Sequence, residues 1–319
     1  MNYLQYINYQ KMLRFINKRK INRVINRRIP QKMVRFVNNI NIIRNIQKKP
    51  IAKKQKQKPQ KQIQIPKKYI IPKKLIRSKN NNRKIPRIIH QTFKTNLVPE
   101  SMYNAIYSFI NLNPNYDYYF YDDNDIEKVL NNFDCTQFSF TKADLIKAYN
   151  KMNTGAGKAD LFRYVILYKE GGCYFDIDTT CNAPLDKFIM DNDDIVSGVG
   201  DRGDLHQWGM IYSKNHPFIK KTIENCVYNI INKSFIKGYE NSLEGVTGPP
   251  CLDLSIKQVL KLPISYAFNT GIYNINEFRF HILNGNCFNG NITFKYTNYL
   301  NDLKSINVDY WMNNPIFKD

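Results

Sequence analysis

The sequence has no run of eighteen apolar residues, and Asn, Lys and Arg interrupt its first stretch every few positions. It therefore offers neither a membrane-spanning helix nor the apolar centre of a signal peptide. Its six cysteines form no Cys-x-x-Cys pair and no framework of the kind that staples small secreted domains. We expect a soluble protein with free thiols, cytoplasmic or associated with a virion.

Acidic residues are absent from positions 1–84, which contain 26 lysines and arginines. Positions 85–319 contain 22 basic and 26 acidic residues and net −4, although the whole chain carries a formal charge of +22. Positions 48–84 are mostly Lys, Gln, Ile and Pro, a composition that buries too little apolar surface to fold. The sequence predicts a basic, partly disordered N-terminal arm and linker at 1–84 and one folded domain at 85–319.

The folded part alternates strand-like and helix-like patterns. Short apolar or aromatic runs predict strands at residues 87–93, 116–121, 195–197 and 209–213. Apolar residues at helical spacing predict helices at residues 126–130 and 218–231. Because strands alternate with helices, the sequence predicts an α/β fold with a sheet covered on both faces.

Residues 157–178 form the most informative segment, whose pattern predicts a helix, a glycine turn and a strand. Gly171 and Gly172 can supply the left-handed residue that ends a helix. A helix from Arg163 to Gly171 rises roughly 12 Å, and an extended return from Gly172 to Asp176 covers roughly 13 Å. The start of the helix and the end of the strand are therefore expected to lie level.

Four charged side chains are predicted to converge there. Asp160 and Arg163 are three residues apart, on one face of the helix. Asp176 and Asp178 are expected in extended backbone, where both would point the same way while Ile177 faces the core. Two adjacent carboxylates repel each other unless a cation lies between them, and Mg²⁺ or Mn²⁺ accepts carboxylate and phosphate oxygens together. The pattern predicts a site for a metal-bound diphosphate.

Other interpretations of these residues remain open. An isolated Asp-x-Asp is usually a solvated turn or a helix cap, and Asp160 with Arg163 would stabilise an ordinary helix surface by only a few tenths of a kcal/mol. The basic arm is also compatible with a nucleic-acid-binding, metal-dependent nuclease or nucleotidyltransferase, although the net charge of −4 on the domain argues against that function. A third hypothesis is that the arm tethers the protein to an anionic surface or scaffold.

Four successive blocks of sequence resemble those of a known family. They are Ile85-Pro86-Arg87-Ile88-Ile89-His90-Gln91-Thr92-Phe93, Asn113-Pro114 followed by Tyr116-Asp117-Tyr118, Lys158-Ala159-Asp160 with Arg163-Tyr164, and Gly171-Gly172-Cys173-Tyr174-Phe175-Asp176-Ile177-Asp178. These blocks are similar to those of the DXD-containing sugar transferases, the family 32 glycosyltransferases. That family includes the yeast initiating α-1,6-mannosyltransferase, and its sugar-binding region is shared with the clostridial glucosylating toxins.

The resemblance implies a GT-A type, Rossmann-like mixed sheet flanked by helices. It also implies a UDP- or GDP-sugar donor and a Mn²⁺ or Mg²⁺ ion. The implied reaction transfers a hexose or N-acetylhexosamine, with retention of configuration, to a hydroxyl of a glycan or protein acceptor. By the same resemblance, Asp178 would bind the metal directly, and Asp176 would contact the donor ribose and sugar and reach the metal through water.

The remaining family roles concern the donor. Asp160 and Arg163 would contact its ribose, sugar or phosphate. His90, Gln91 and Thr92 would lie at the mouth of the nucleobase pocket, whose floor is their own strand. The segment Leu205-His206-Gln207-Trp208-Gly209 departs from the family pattern, so we expect the acceptor side to differ. We expect His206 to be a surface histidine rather than a catalytic base.

Overall fold

The computed structural model describes residues 67–77, 83–200, 203–285, 288–308, 310, 312 and 314–318. The strands, in chain order, are β1 (Lys68–Ile70), β2 (Lys74–Leu75), β3 (Ile88–Thr92), β4 (Leu97–Pro99), β5 (Asp117–Tyr121), β6 (Gly172–Phe175), β7 (Thr180–Cys181), β8 (Ile195–Val199), β9 (Gly209–Tyr212), β10 (Gly271–Ile275), β11 (Phe278–Asn284) and β12 (Ile292–Thr293).

The helices are α1 (Glu100–Leu112), α2 (Asp123–Asn131), α3 (Lys142–Lys151), α4 (Gly155–Glu170), α5 (Pro217–Asn232), α6 (Leu243–Val246), α7 (Pro249–Leu260) and α8 (Tyr299–Ser305). A short 3₁₀ helix covers Leu185–Lys187. The predicted strands and helices are all confirmed, with ends shifted by a few residues. The predicted helix, glycine turn and strand of the Asp-x-Asp segment are α4, Gly171 and β6.

Eight strands form one mixed sheet in the order β10-β11-β8-β9-β6-β3-β5-β2. Strand β3 runs parallel to both of its neighbours, β5 and β6, while β6 and β9 are antiparallel. Two smaller antiparallel pairs, β1 with β4 and β7 with β12, lie outside this sheet. The predicted α/β class with a mixed sheet flanked by helices is confirmed.

The sheet separates two hydrophobic cores. One core includes residues of the helices α2 to α7 together with Tyr174 of β6. The other includes residues of α1 and α8 together with Cys173 and Phe175 of the same strand. Because successive side chains of a strand point to opposite faces, this alternation places helices on both faces of the sheet. Strand β6, which leads into the Asp-x-Asp segment, is thus packed on both faces.

The turn between α4 and β6 depends on two glycines. Gly171 has φ +67° and Gly172 has φ +95°, values that a residue with a side chain rarely adopts. A Cβ atom on Gly172 would lie 2.6 Å from the carbonyl oxygen of Ile88 in the neighbouring strand. The close approach lets β6 pair with β3 directly after the helix ends, and this sets the position of the aspartates that follow.

Part of the predicted linker is folded, so the expectation of an unpacked segment is wrong for residues 67–77. Strand β1 pairs with β4, and β2 pairs with β5 at the edge of the main sheet. Ile71 between them is fully buried. Composition alone does not show that this segment folds, because a few apolar residues are enough to hold it when its backbone pairs with an existing strand. Residues 1–66, the greater part of the predicted basic arm, lie outside the described residues.

The described cysteines are all free thiols, as predicted: Cys135, Cys173, Cys181, Cys226 and Cys251. Four of them are buried and Cys135 is partly exposed. None of the helices in the described part of the chain combines the length and the apolar composition needed to cross a bilayer.

His90 on β3 is a fully buried histidine that connects three elements. Its Nδ1 lies 3.1 Å from the hydroxyl of Tyr121, and its Nε2 lies 3.0 Å from the carbonyl oxygen of Gly171. Burial lowers the pKa of His90 to about 4, while the charges of Glu170 and Lys169 act in opposite directions. The side chain is therefore a neutral structural group at physiological pH.

This depressed pKa predicts a pH-dependent stability. Because the folded-state pKa lies below the ordinary value of about 6.5, His90 favours folding above pH 6.5, and that contribution is lost as the pH falls toward 4. The wild type should therefore lose about 3 kcal/mol more than His90→Phe between pH 6.5 and 4. Urea unfolding of both proteins across this range measures the difference. Parallel profiles for the two proteins would contradict the assignment.

Candidate active site

A buried arginine joins the helix and strand that the sequence predicted to converge. Nη2 of Arg163 on α4 lies 2.6 Å from Oδ1 of Asp176, directly after β6, and 3.2 Å from Oδ1 of Asp160. Its guanidinium carbon lies 4.9 Å from the centroid of the Tyr174 ring. Only 5% of the Arg163 side chain is exposed, against 27% for Asp176. The convergence of the three charged groups is confirmed, with Asp176 the one that faces solvent.

Two polar residues from distant parts of the chain complete this arrangement. The hydroxyl of Thr247 donates to Oδ2 of Asp160 at 2.7 Å, and Nη1 of Arg163 donates to the carbonyl oxygen of Gln207 at 3.0 Å. The Gln207 amide in turn donates to the carbonyl oxygen of Thr247 at 2.9 Å. Asp160 thus has both of its oxygens occupied, and Arg163 is held in one orientation toward Asp176.

Asp178 lies in a turn, so the prediction that residues 176–178 are extended is wrong. Strand β6 ends at Phe175, and the backbone nitrogen and hydroxyl of Thr179 both donate to the carbonyl oxygen of Asp176. The chain bends here because Thr180 next pairs with β12 in a separate small sheet. Ile177 is buried as predicted, and Asp178 itself is only 7% exposed.

Burial disfavours the ionised forms of two of the aspartates, Asp178 and Asp160. Burial, and then the negative charge of Asp176, raise the pKa of Asp178 to about 7, while the charge of Lys295 lowers it. Burial likewise raises the pKa of Asp160 to about 6 against the opposing effect of Arg163. Carboxylates with raised pKa values in one place are frequent at functional sites.

These residues fit a divalent cation. Oδ1 of Asp178 is buried and has no hydrogen-bond partner, which leaves a carboxylate oxygen free to bind a metal. Within the described residues, no group of three or more His, Cys, Asp or Glu side chains is placed to hold a metal ion. A cation bound by Asp178 and Asp176 would thus take its other ligands from water or phosphate, the oxygen ligands that Mg²⁺ and Mn²⁺ accept.

The structure places His90 and Gln91 away from any pocket mouth, which corrects the predicted position of these two side chains. Both are fully buried, and the amide oxygen of Gln91 accepts a hydrogen bond from the hydroxyl of Tyr118 at 3.1 Å. Thr92, at the end of β3, is 7% exposed and donates to the carbonyl oxygen of Tyr121. The expectation failed because both side chains point into the core, where His90 contacts Tyr121 and Gly171 and Gln91 contacts Tyr118.

Sequence reasoning missed the segment that follows β12. The backbone nitrogen of Tyr296 donates to the carbonyl oxygen of Asp178 at 2.9 Å, which fixes this segment against the aspartates. Nζ of the preceding Lys295 lies 3.0 Å from the hydroxyl of Tyr310 and 4.8 Å from the centroid of its ring. The positive charge of Lys295 lowers the pKa of Asp178, so a second cationic side chain acts on the carboxylates from a segment more than 100 residues further along the chain.

His206 is half-buried, whereas a surface position was expected. Its Nε2 lies 3.0 Å from the carbonyl oxygen of Gly285, and its ring lies 5.2 Å from that of Trp208. The neighbouring backbone of Trp208 accepts a hydrogen bond from Asp176 at 2.8 Å. The segment around His206 thus lies beside the aspartates.

The fold and the paired aspartates fit the class predicted from the sequence, the DXD-containing glycosyltransferases. Residues 99–194 match the family model described as a glycosyltransferase sugar-binding region containing a DXD motif. The predicted family resemblance is therefore confirmed for this region, which contains Asp160, Arg163, Asp176 and Asp178.

Two curated relatives and one solved structure illustrate the similarity. The chain is 32% identical over 190 residues to inositol phosphoceramide mannosyltransferase 3 of Schizosaccharomyces pombe, covering 60% of this chain and 50% of that protein. It is 28% identical over 159 residues to initiation-specific alpha-1,6-mannosyltransferase of Candida albicans, covering 46% and 40%. The solved structure, titled PaToxG Glycosyltransferase, has a TM-score of 0.43 and 20% identity, covering 56% and 70%. The chain spans half or less of the length of these two curated relatives.

Proposed function

We propose that the protein is a metal-dependent, retaining glycosyltransferase that uses a UDP- or GDP-sugar. The observation that carries the proposal is the buried ion pair of Arg163 with Asp176, beside the unpartnered carboxylate oxygen of Asp178. The family match to the surrounding residues supports the same function. A GT-A type arrangement of the sheet forms part of this proposal.

Each residue of the site would have a separate role in binding the donor. Asp178 and Asp176 would hold Mn²⁺ or Mg²⁺, which would neutralise charge on the departing nucleoside diphosphate. Arg163 keeps Asp176 in place and adds a fixed positive charge near the donor phosphates. Asp160 orients Arg163 and also receives the hydrogen bond of Thr247. Thr92, at the end of β3, would contact the nucleobase.

Retention requires that the acceptor hydroxyl join the sugar on the face from which the diphosphate departs. We assign no side chain as a covalent nucleophile. Arg163 would favour departure of the diphosphate by stabilising the negative charge that develops on its oxygens, and the acceptor proton would pass to a phosphate oxygen as the C–O bond to the donor breaks.

Mannose is the first sugar to test, because the relatives described above are named as mannosyltransferases. A glycan is the proposed acceptor, and the name of the S. pombe relative adds inositol phosphoceramide to the acceptors to be tested. Tethering through the basic arm, to an anionic surface or a scaffold, also remains a proposal. The matches give no support to the nuclease alternative.

Hydrolysis of nucleotide sugars by the full chain tests the proposed function. We expect release of UDP or GDP from at least one of GDP-mannose, UDP-glucose and UDP-N-acetylglucosamine. The release should require Mn²⁺ or Mg²⁺ and be abolished by EDTA, because the aspartates cannot position a diphosphate without a cation. Cleavage of single-stranded DNA, measured in parallel, should be absent. Metal-dependent DNA cleavage without turnover of any nucleotide sugar would overturn the proposal.

A further inference from the structure

Two stacked aromatic rings lie beside the aspartates but take no part in their ion pairs. The rings of Trp208 and Phe294 have centroids 4.9 Å apart and planes inclined by 26°. Trp208 packs edge-on against the fully buried ring of Phe288, at 5.2 Å. Phe294 remains 40% exposed. The core thus supports Trp208, and Trp208 supports an aromatic ring that solvent can reach.

The backbone ties each ring to one of the aspartates. Asp176 donates its backbone N–H to the carbonyl oxygen of Trp208 at 2.8 Å. Phe294 lies two residues before Tyr296, whose N–H donates to the carbonyl oxygen of Asp178 at 2.9 Å. Because Asp176 and Asp178 belong to the same turn, the two hydrogen bonds make the aromatic pair part of the site rather than a distant surface patch.

The aromatic pair and the arginine belong to different sides of the site. Trp208 packs against the core that contains Phe288, whereas Arg163 lies over Tyr174, which belongs to the other core. If the donor phosphates lie at Arg163 and the cation, as the proposed function requires, the side of the site that carries the aromatic pair is left for the second substrate. The exposed ring of Phe294 offers an apolar surface there, which suits a polar substrate that has one apolar face.

We propose that Trp208 and Phe294 form the platform on which the sugar ring of the acceptor stacks. One face of a pyranose consists largely of C–H groups, which carry partial positive charge, and an aromatic face carries partial negative charge. Stacking would bury that face and leave the hydroxyl groups at the ring edge free to approach the donor. The inference rests on the proposed function and specifies its acceptor as a glycan with an accessible pyranose, rather than a protein side chain.

The test separates acceptor binding from donor binding. Phe294→Ala in the full chain should raise the KM for methyl α-D-mannopyranoside about tenfold, equivalent to about 1.4 kcal/mol. Donor hydrolysis without acceptor should stay within about twofold of the wild type, because the donor contacts are untouched. Trp208→Phe should have the smaller effect, because the stack retains an aromatic ring. Tyr228→Ala, which removes a 63% exposed ring on α5, is the matched control and should change neither value.

A binding measurement keeps the inference testable if no donor is turned over. Titration of the wild type with methyl α-D-mannopyranoside should change its tryptophan fluorescence, and Phe294→Ala should weaken that binding about tenfold. Failure of donor turnover with this binding intact would reject the proposed function alone. A rise in donor KM instead of acceptor KM would assign the platform to the donor sugar and overturn the inference. Equal sugar binding by both proteins, or no binding by the wild type, would overturn it as well.

Discussion

Asp178→Asn is expected to reduce metal-dependent sugar transfer by a factor of roughly 100 to 1,000, the size of effect seen when one preorganised electrostatic group is removed from an active site. Asparagine keeps the shape of the side chain but removes the negative charge that would bind the cation. The buried, unpartnered Oδ1 is the atom that makes this position sensitive. Initial rates of nucleotide-sugar hydrolysis at saturating Mn²⁺ measure the effect.

The same substitution should leave the protein as stable as before or make it more stable. The folded-state pKa of Asp178 is raised to about 7, so its ionisation opposes folding once the pH exceeds the ordinary value of about 3.9. The stabilisation by Asp178→Asn should therefore be absent near pH 4, grow as the pH rises, and level off above pH 7. Denaturant unfolding of the metal-free proteins at pH 4, 6 and 8 measures this trend.

The control for this substitution is Asp134→Asn, a change at an exposed aspartate whose backbone partner is Thr136. It should leave both activity and Mn²⁺ binding unchanged. Mn²⁺ should raise the melting temperature of the wild type and of Asp134→Asn but not that of Asp178→Asn, because binding to the folded state alone stabilises it. Loss of activity together with a large loss of stability in Asp178→Asn would instead show a structural role.

The convergence of Asp160, Arg163 and Asp176 was predictable because it is local. Helix rise, glycine chemistry and strand rise are all properties of one short segment, and they set where its two ends meet. The same reasoning failed at Asp178, where the alternation of a strand was extended past the residue at which β6 ends. Pairing of Thr180 with β12, a strand more than 100 residues away, bends the chain there.

The supporting residues could not be predicted in this way. Thr247 lies 87 residues from Asp160 and Gln207 lies 44 residues from Arg163, so only the tertiary fold brings them together. Lys295 likewise reaches the site through the pairing of β12 with β7. The buried position of His90 could not be predicted either, because nothing in the sequence shows that Tyr121 and the carbonyl of Gly171 lie within hydrogen-bond distance of its two ring nitrogens.

Arg163→Met is expected to have the largest effect on stability, a loss of about 3 to 5 kcal/mol. Methionine fills much of the same volume but leaves Asp160 without its ion-pair partner. It also leaves the carbonyl oxygen of Gln207 without its charged donor. Removing one partner of a buried ion pair is costly because the remaining charge stays out of water. Urea denaturation of both proteins at pH 8, above the pKa of about 6 that Asp160 has in the wild type, measures the loss.

A second substitution distinguishes this mechanism from poor packing. In Arg163→Met combined with Asp160→Asn, the buried charge is removed together with its partner, so part of the lost stability should return. The recovery should be larger at pH 8 than at pH 5, because burial raises the pKa of Asp160 to about 6 even beside Arg163, and without that arginine the carboxyl group is protonated at pH 5. Equal losses for the single and double variants at both pH values would show that Arg163 stabilises the domain through its packing on Tyr174 rather than through its charge.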